Sequence, residues 1–449
     1  MPVNLEIPFS YYIAAAILFC FSVEAVSKIS KHWAIPSLII YLTTGMWYFT
    51  EVFYTPERLT IFEPHILEQG YYQVCIFLIV FRCLLPYCTS SIVRYPSKVT
   101  AFNWFTLNPH QLLKILLFFW IFLFIYGVSR LDWNFLQALF PQGGRWSAKL
   151  WARGAVGEGS DFIISAAGYI YSLVCAMFGV LIFFQRQRQA KIINLIMIII
   201  SWPSFLLSGT RNTFLAVSVP AYMTYIFTSR HKWWVKAGIS VGIFFVFNYL
   251  MLIIINFRDS GILAYFEGNA TINPEVKHNG LNMAEELFYI NNFYEQKQLT
   301  LQYGLDYWAE AMNIIPRFIL PDKPLIGYEY NALRAPASGI NATIAAGFIG
   351  RGVMNFGPCL GPIAPAILLG VWAGFLARLW TQRVSILRLA LFLVGLGITP
   401  NLGRDITLLV LWPMIFGYVI VRYLERLERR RLLKKFATQS YYFDNESHS

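Results

Sequence analysis

The sequence predicts an all-α polytopic integral membrane protein, with about eleven transmembrane helices and a large late extracytoplasmic loop. Three observations predict it. Only 13% of the 449 residues are charged and 57% are hydrophobic. Soluble domains carry roughly 25% and about 45–50%, so this chain has too little charge to coat a water-facing surface. Its 14 Trp, 26 Tyr and 38 Phe suit side chains that sit at a membrane–water boundary. Long apolar runs recur at the length, about 20 residues, that crosses a hydrocarbon core. A soluble enzyme, a disordered chain and a secreted disulfide scaffold are excluded together.

In chain order the expected spans are 8–26, 35–54, 71–88, 111–128, 162–185, 192–208, 212–228, 234–256, 353–377, 385–401 and 405–423. The first is too long for a signal peptide and has no basic segment before it. The tenth is short and ends at Pro400. The chain then reads as one transmembrane domain over 1–425, with the large outer loop 256–340 inside it, and a basic tail at 426–449.

Charge orients the spans, because basic residues concentrate on the cytoplasmic side. With the N-terminus outside and the C-terminus inside, the cytoplasmic segments hold 21 basic and four acidic residues, and the outer segments hold 14 basic and 19 acidic. Glu24 and Arg82 are left within the membrane, both in the cytoplasmic halves of their spans, where they can pair. The net charge of +12 thus lies in short loops and a tail. That pattern reflects topology and contact with an anionic bilayer, not a nucleic-acid surface, so no nucleic-acid partner is expected.

Two outer segments are sizeable. One covers 129–161 and is rich in glycine; the other runs from 256 to 340. Within the second, 282–298 carries Met283, Leu287, Ile290 and Phe293 at helical spacing, which predicts an amphipathic helix along the membrane face. A loop of that length is uncommon unless functional. The chemistry is therefore expected outside.

No P-loop motif and no metal-spaced histidine or cysteine set occurs, so neither metal nor cofactor is expected. The outer side does carry cations at short turns. Arg211 lies in Ser-Gly-Thr-Arg-Asn (208–212); Arg317 and Lys323 lie in Pro-Arg-Phe-Ile-Leu-Pro-Asp-Lys-Pro (316–324). Arg351 sits in Gly-Phe-Ile-Gly-Arg-Gly (347–352), and Arg404 in Pro-Asn-Leu-Gly-Arg-Asp (400–405). Guanidinium groups bind phosphate through two parallel bonds and stay charged at any working pH. As a set these five residues can cradle a pyrophosphate at headgroup depth. The competing reading is that each meets a lipid headgroup or a nearby acid such as Asp405.

These segments resemble the bacterial O-antigen polymerase family (Wzy type), the oligosaccharide repeat unit polymerases. The resemblance rests on Ser208–Leu215, on Pro316–Pro324, and on Ala345–Gly370 with its Gly352-Val-Met-Asn-Phe-Gly357 followed by Gly361. It implies a bacterial inner-membrane glycosyltransferase, independent of metal, that joins repeat units carried on polyprenyl pyrophosphate at the outer face, for O-antigen, capsule or exopolysaccharide. Its implied partners are that lipid-linked oligosaccharide, the bilayer and a chain-length regulator protein. Asp405, Glu329, Glu158 and His278 are the candidates for the base that activates the acceptor hydroxyl.

Four alternatives are set against this, one of them a structural or scaffold protein, against which the outer arginine set argues. A lipid-linked oligosaccharide flippase or transporter should show polar residues through the bilayer and pseudo-symmetric halves. An O-antigen ligase usually carries a histidine motif in its large loop, which Val-Lys-His278-Asn-Gly resembles poorly. A transferase using polyprenyl-monophosphate sugars typically has acidic residues in its first outer loop; Glu51, Glu57, Glu63 and Glu68 are there, without a tight pair.

Overall fold

The computed structural model of the chain describes residues 7–92, 109–141, 150–151, 161–207, 211–256, 261–268, 282–312, 315, 319–322, 324, 327–338, 344–383, 385–406, 411–427 and 430. Among them all regular structure is helical. Seven stretches are long and apolar enough to cross a membrane: Phe9–Ser27, Pro64–Ile92, Pro109–Ser129, Arg188–Leu207, Trp233–Ile254, Ile363–Thr381 and Ile386–Arg404. The chain is thus a helical protein of membrane-protein character.

The helices that organise it are α1 (Phe9–Ser27), α2 (Ala34–Tyr48), α3 (Glu51–Tyr54), α4 (Pro64–Ile92), α5 (Pro109–Ser129), α6 (Phe135–Leu139), α7 (Asp161–Leu181), α8 (Arg188–Leu207), α9 (Arg211–Thr228), α10 (Trp233–Asn256) and α11 (Gly261–Phe266). After them come α12 (Met283–Glu295), α13 (Leu305–Met312), α14 (Tyr328–Ser338), α15 (Gly347–Leu360), α16 (Ile363–Thr381), α17 (Ile386–Ile398), α18 (Pro400–Arg404) and α19 (411–427). They pack as two groups. In one, α4 runs along α16, α1 packs on α4, and α2 packs on α1 and α16. In the other, α9 packs on α7 and α17, and α5 on α7. The contact of α16 with α17 joins the groups. Small residues set the closest approaches: Gly370 and Gly374 of α16 meet Cys88 of α4.

Hydrogen bonds define the two ends of the bundle. At one end the Trp47 indole N–H donates to the Pro400 carbonyl (2.6 Å), and the Ile349 N–H donates to the Tyr48 hydroxyl (3.0 Å). Gln73 and Asn291 exchange amide hydrogen bonds (2.8 and 3.0 Å) at the same end. At the other end Arg82 donates to both oxygens of Glu24 (2.7 and 2.6 Å), and Arg388 to both of Glu425 (2.6 and 2.7 Å). The expected pairing of Glu24 with Arg82 is therefore present, with Lys28 also on Glu24 at 2.8 Å.

Three expectations are corrected. The segment 35–54 is not one helix: α2 stops at Tyr48 and a separate turn, α3, carries Glu51 inward against α12. A carboxylate there finds a backbone N–H to bind, which lipid would not supply. The segment 353–377 is likewise broken. Gly357 lies at φ 81°, in the left-handed region that favours glycine, so α15 kinks there and α16 begins at Ile363. The turn closes because Gly352 and Gly361 let their backbones touch; a Cβ on Gly352 would overlap the Gly361 carbonyl oxygen. Third, α12 does not lie along a membrane face. It packs on α15, α4 and α2, and Leu287, Phe288 and Ile290 are fully buried. Its polar side is covered as well, because Arg58 and Arg334 neutralise Glu285 and Glu286.

The span ending at Arg404 runs beyond its expected limit at 401. Pro400 occupies the first turn of α18, where its missing N–H has no helical partner to lose, so a new helical turn starts instead of stopping. Helix α4, with 29 residues, is about 43 Å long against a core of about 30 Å, so it is long enough for its ends to stand clear of lipid. Its first three turns meet α12, through Gln73 on Asn291 and Tyr71 on Phe288.

Candidate functional site

Helix α15 is amphipathic in an unusual sense: its inner face carries charge. Arg351 and Asn355, one turn apart, are both buried, and they face α13 and the segment after α18. The Arg351 guanidinium donates to the Asp405 carboxylate at 2.5 Å and to the Ile406 carbonyl at 2.9 Å. A second acid, Glu310 of α13, lies 3.8 Å from it. One turn earlier on α13, the Asp306 backbone N–H donates to the Asn355 side-chain oxygen (3.2 Å), and the Asn355 amide donates to the Arg351 carbonyl (2.8 Å). The Asp306 carboxylate then accepts from the Gly327 N–H at 2.7 Å, which ties the approach to α14 into the same corner.

The corner therefore holds one guanidinium among three buried carboxylates. Burial opposes a charge on Arg351, and the neighbouring Asp405, Glu310 and Asp306 overcome it and hold the side chain protonated. Burial pushes the Asp405 carboxyl up to about 6, against the downward pull of Arg351. Among the described residues, three buried atoms here have no hydrogen-bond partner: Arg351 Nε, Asp405 Oδ1 and the Tyr307 hydroxyl. The Tyr307 hydroxyl feels the charges of Arg351, Asp405 and Asp306. Unsatisfied buried donors and acceptors cost free energy, on the order of 1–3 kcal/mol each. Their concentration at one corner marks a place where polar groups of another molecule can be received.

Of the residues singled out from sequence, Arg351 and Asp405 are brought together as a buried ion pair. Arg404, half-buried, adjoins them in the chain and lowers the Asp405 carboxyl by its charge. Glu329 is on α14, outside that corner, where it accepts from the Thr300 N–H (3.2 Å) and hydroxyl (3.0 Å). Arg317, Lys323, His278 and Glu158 lie outside the described residues, as does the turn 208–210; Arg211 opens α9, but its side chain is outside the described residues too. The tail beyond 430 lies outside as well.

Sequence reasoning missed Asp306, Tyr307, Glu310 and Asn355. Asp306 and Glu310 do carry a signal, since acids four apart on a short helix share one face. Their partner on α15 lies more than forty residues away and leaves no local trace.

A second charged cluster sits where α3, α12 and α14 meet. Arg334 donates to Glu285 (3.2 Å) and to both oxygens of Glu286 (3.1 and 3.2 Å), and its guanidinium stacks 3.7 Å from the centre of the Tyr289 ring. The Tyr330 hydroxyl also donates to Glu286. Comparison with protein-family models, with curated proteins and with solved structures finds no match for this chain.

Proposed function

We propose that this protein polymerises lipid-linked oligosaccharide repeat units at the outer face of a bacterial cytoplasmic membrane, with eleven spans, the N-terminus outside and the C-terminus in the cytoplasm. The observation that carries the reading is the buried Arg351–Asp405 pair, closed over by Asp306 and Glu310 of the loop, at the mouth of two apolar helices. It joins the loop's acids to the membrane end of the bundle, where a lipid-borne pyrophosphate and a sugar hydroxyl would meet.

In this mechanism the anomeric carbon–oxygen bond to the donor's pyrophosphate breaks and a bond to the acceptor oxygen forms. The acceptor's proton passes to Asp405, whose carboxyl near 6 suits a base at neutral pH. Arg351 holds that carboxylate in place, and because three acids surround it, its charge is spent within the protein. The developing pyrophosphate charge then falls to Arg211, Arg317, Lys323 and Arg404. Fixed guanidinium groups stabilise such charge without reorganising.

A strain lacking the chain and complemented with variants tests this. Deletion should leave single lipid-linked repeats. Arg211→Ala should do the same at normal protein level, a loss of on the order of a hundredfold in rate, and Arg211→Lys should restore part. Repeats trapped in the cytoplasm would instead identify a flippase, and unattached polymer a ligase. Normal ladders from Arg211→Ala would remove that arginine from the site.

A further inference from the structure

Among the described residues, the charges of the second cluster do not balance. Glu51, Glu285 and Glu286 are buried there, and Arg58 and Arg334 are the described cations that oppose them. Glu51 Oε2 accepts the Glu285 backbone N–H at 2.9 Å, whereas Oε1 is buried with no donor among the described residues. The Glu285 carboxyl group lies within hydrogen-bond reach of Glu51. Two acceptors in contact and shielded from water repel, unless a hydrogen lies between them.

We propose that the junction of α3 with α12 holds one bound proton, shared between Glu51 and Glu285, and that this proton latches the loop helices onto the ends of the spans. It is independent of the catalytic reading.

Helix capping explains the latch. The Asn282 side chain makes no capping bond to α12, so the Glu285 N–H in the first turn would be an orphan donor. Glu51 takes that place from another helix. As a neutral acid it still accepts through its carbonyl oxygen, and its hydroxyl donates to Glu285. Deprotonated, it would set a third negative charge beside Glu285 and Glu286 and push the start of α12 away.

Among the described residues, the groups that face Glu51 offer no further positive charge. From α12 these are Glu285 and Glu286; from the turn after α3, Arg58 acts through Glu285; from α14, Arg334 acts through both Glu285 and Glu286, and Tyr330 through Glu286. From α4 the buried Tyr71 hydroxyl is near, and its ring packs edge-on against Tyr11 of α1. Burial, reinforced by the charge of Glu285, holds the Glu51 carboxyl up to about 9. A carboxyl raised by folding stabilises the folded junction most below its unfolded value. That contribution falls as pH rises from about 4.5 and is gone above about 9.

Hydrogen exchange of the α12 amides in the full chain, in lipid nanodiscs, tests the latch, with rates referred to the intrinsic rate at each pH. In the wild type, protection should fall by about tenfold or more between pH 6 and pH 9.5. Glu51→Gln supplies both the acceptor and a donor without a proton to lose. Its protection should match the wild type at pH 6 and change by no more than about twofold at pH 9.5. Glu51→Ala should be poorly protected at both. A wild-type-like fall in Glu51→Gln, or failure of Glu51→Gln to protect α12 at pH 6, would show that Glu51 is held ionised and would overturn the proposal.

Discussion

Arg351→Ala should be the most damaging single change in the loop corner, lowering stability by about 3–5 kcal/mol and abolishing polymer. The cost arises because Asp405 would stay buried without the guanidinium bonded to it, and Glu310 would lose a cation 3.8 Å away. The Asp405 carboxyl, already raised by burial, would lose its main downward influence and take up a proton at neutral pH. Any surviving activity should therefore move to higher pH. The double variant Arg351→Met with Asp405→Leu separates the two roles. Replacing a bonded ion pair with apolar residues is often neutral or stabilising, so part of the lost thermal stability in detergent should return, short of the wild type because Glu310 and Asp306 still lose the guanidinium. Polymer should not, because the base is gone. Recovery of polymer with the apolar pair would mean that the pair only holds the fold.

Gly352→Val should be nearly as severe, for a reason that has nothing to do with charge. A Cβ at this position would overlap the Gly361 carbonyl oxygen and come within 2.7 Å of Pro365. Backbone atoms cannot swing aside as a long side chain can. The hairpin between α15 and α16 would have to open, at a cost of about 3 kcal/mol or more, the upper end of the range for over-packed sites. Because Arg351 immediately precedes Gly352, the ion pair with Asp405 would move with it. Gly242, on α10, has open space around its Cβ position, so Gly242→Ala is the matching control and should leave protein level and ladder unchanged. A Gly352→Val protein as abundant and active as the wild type would refute the close approach.

What could be read in the sequence was what repeats locally. Long apolar runs, the Glu24–Arg82 pair and the helix through Met283 and Phe293 follow from composition and spacing, and each has its counterpart in the fold. The break inside 353–377 was harder to see, because Gly357, Pro358, Gly361 and Pro362 sit in an otherwise unbroken apolar stretch. The kink comes from a positive φ and a backbone contact, which hydropathy does not register. Glu285 and Glu286 read locally as the wet face of an amphipathic helix. Arg334, nearly fifty residues on, turns that face inward. The same distance problem hid Asp306 and Asn355. Cations at short turns expected outside were visible one by one; that Arg351 would be claimed by Asp405 was visible only as a competing possibility.

The central claim is polymer formation by the chain itself. Its most direct test uses the purified protein in lipid vesicles, supplied with a polyprenyl-pyrophosphate-linked repeat unit and a metal chelator. Cations of the protein are expected to carry the leaving charge, so a ladder of lengthened glycans should form, with one polyprenyl pyrophosphate released for each unit joined. Glycans that remain single units under these conditions, or that lengthen only when a divalent metal is restored, would contradict the account.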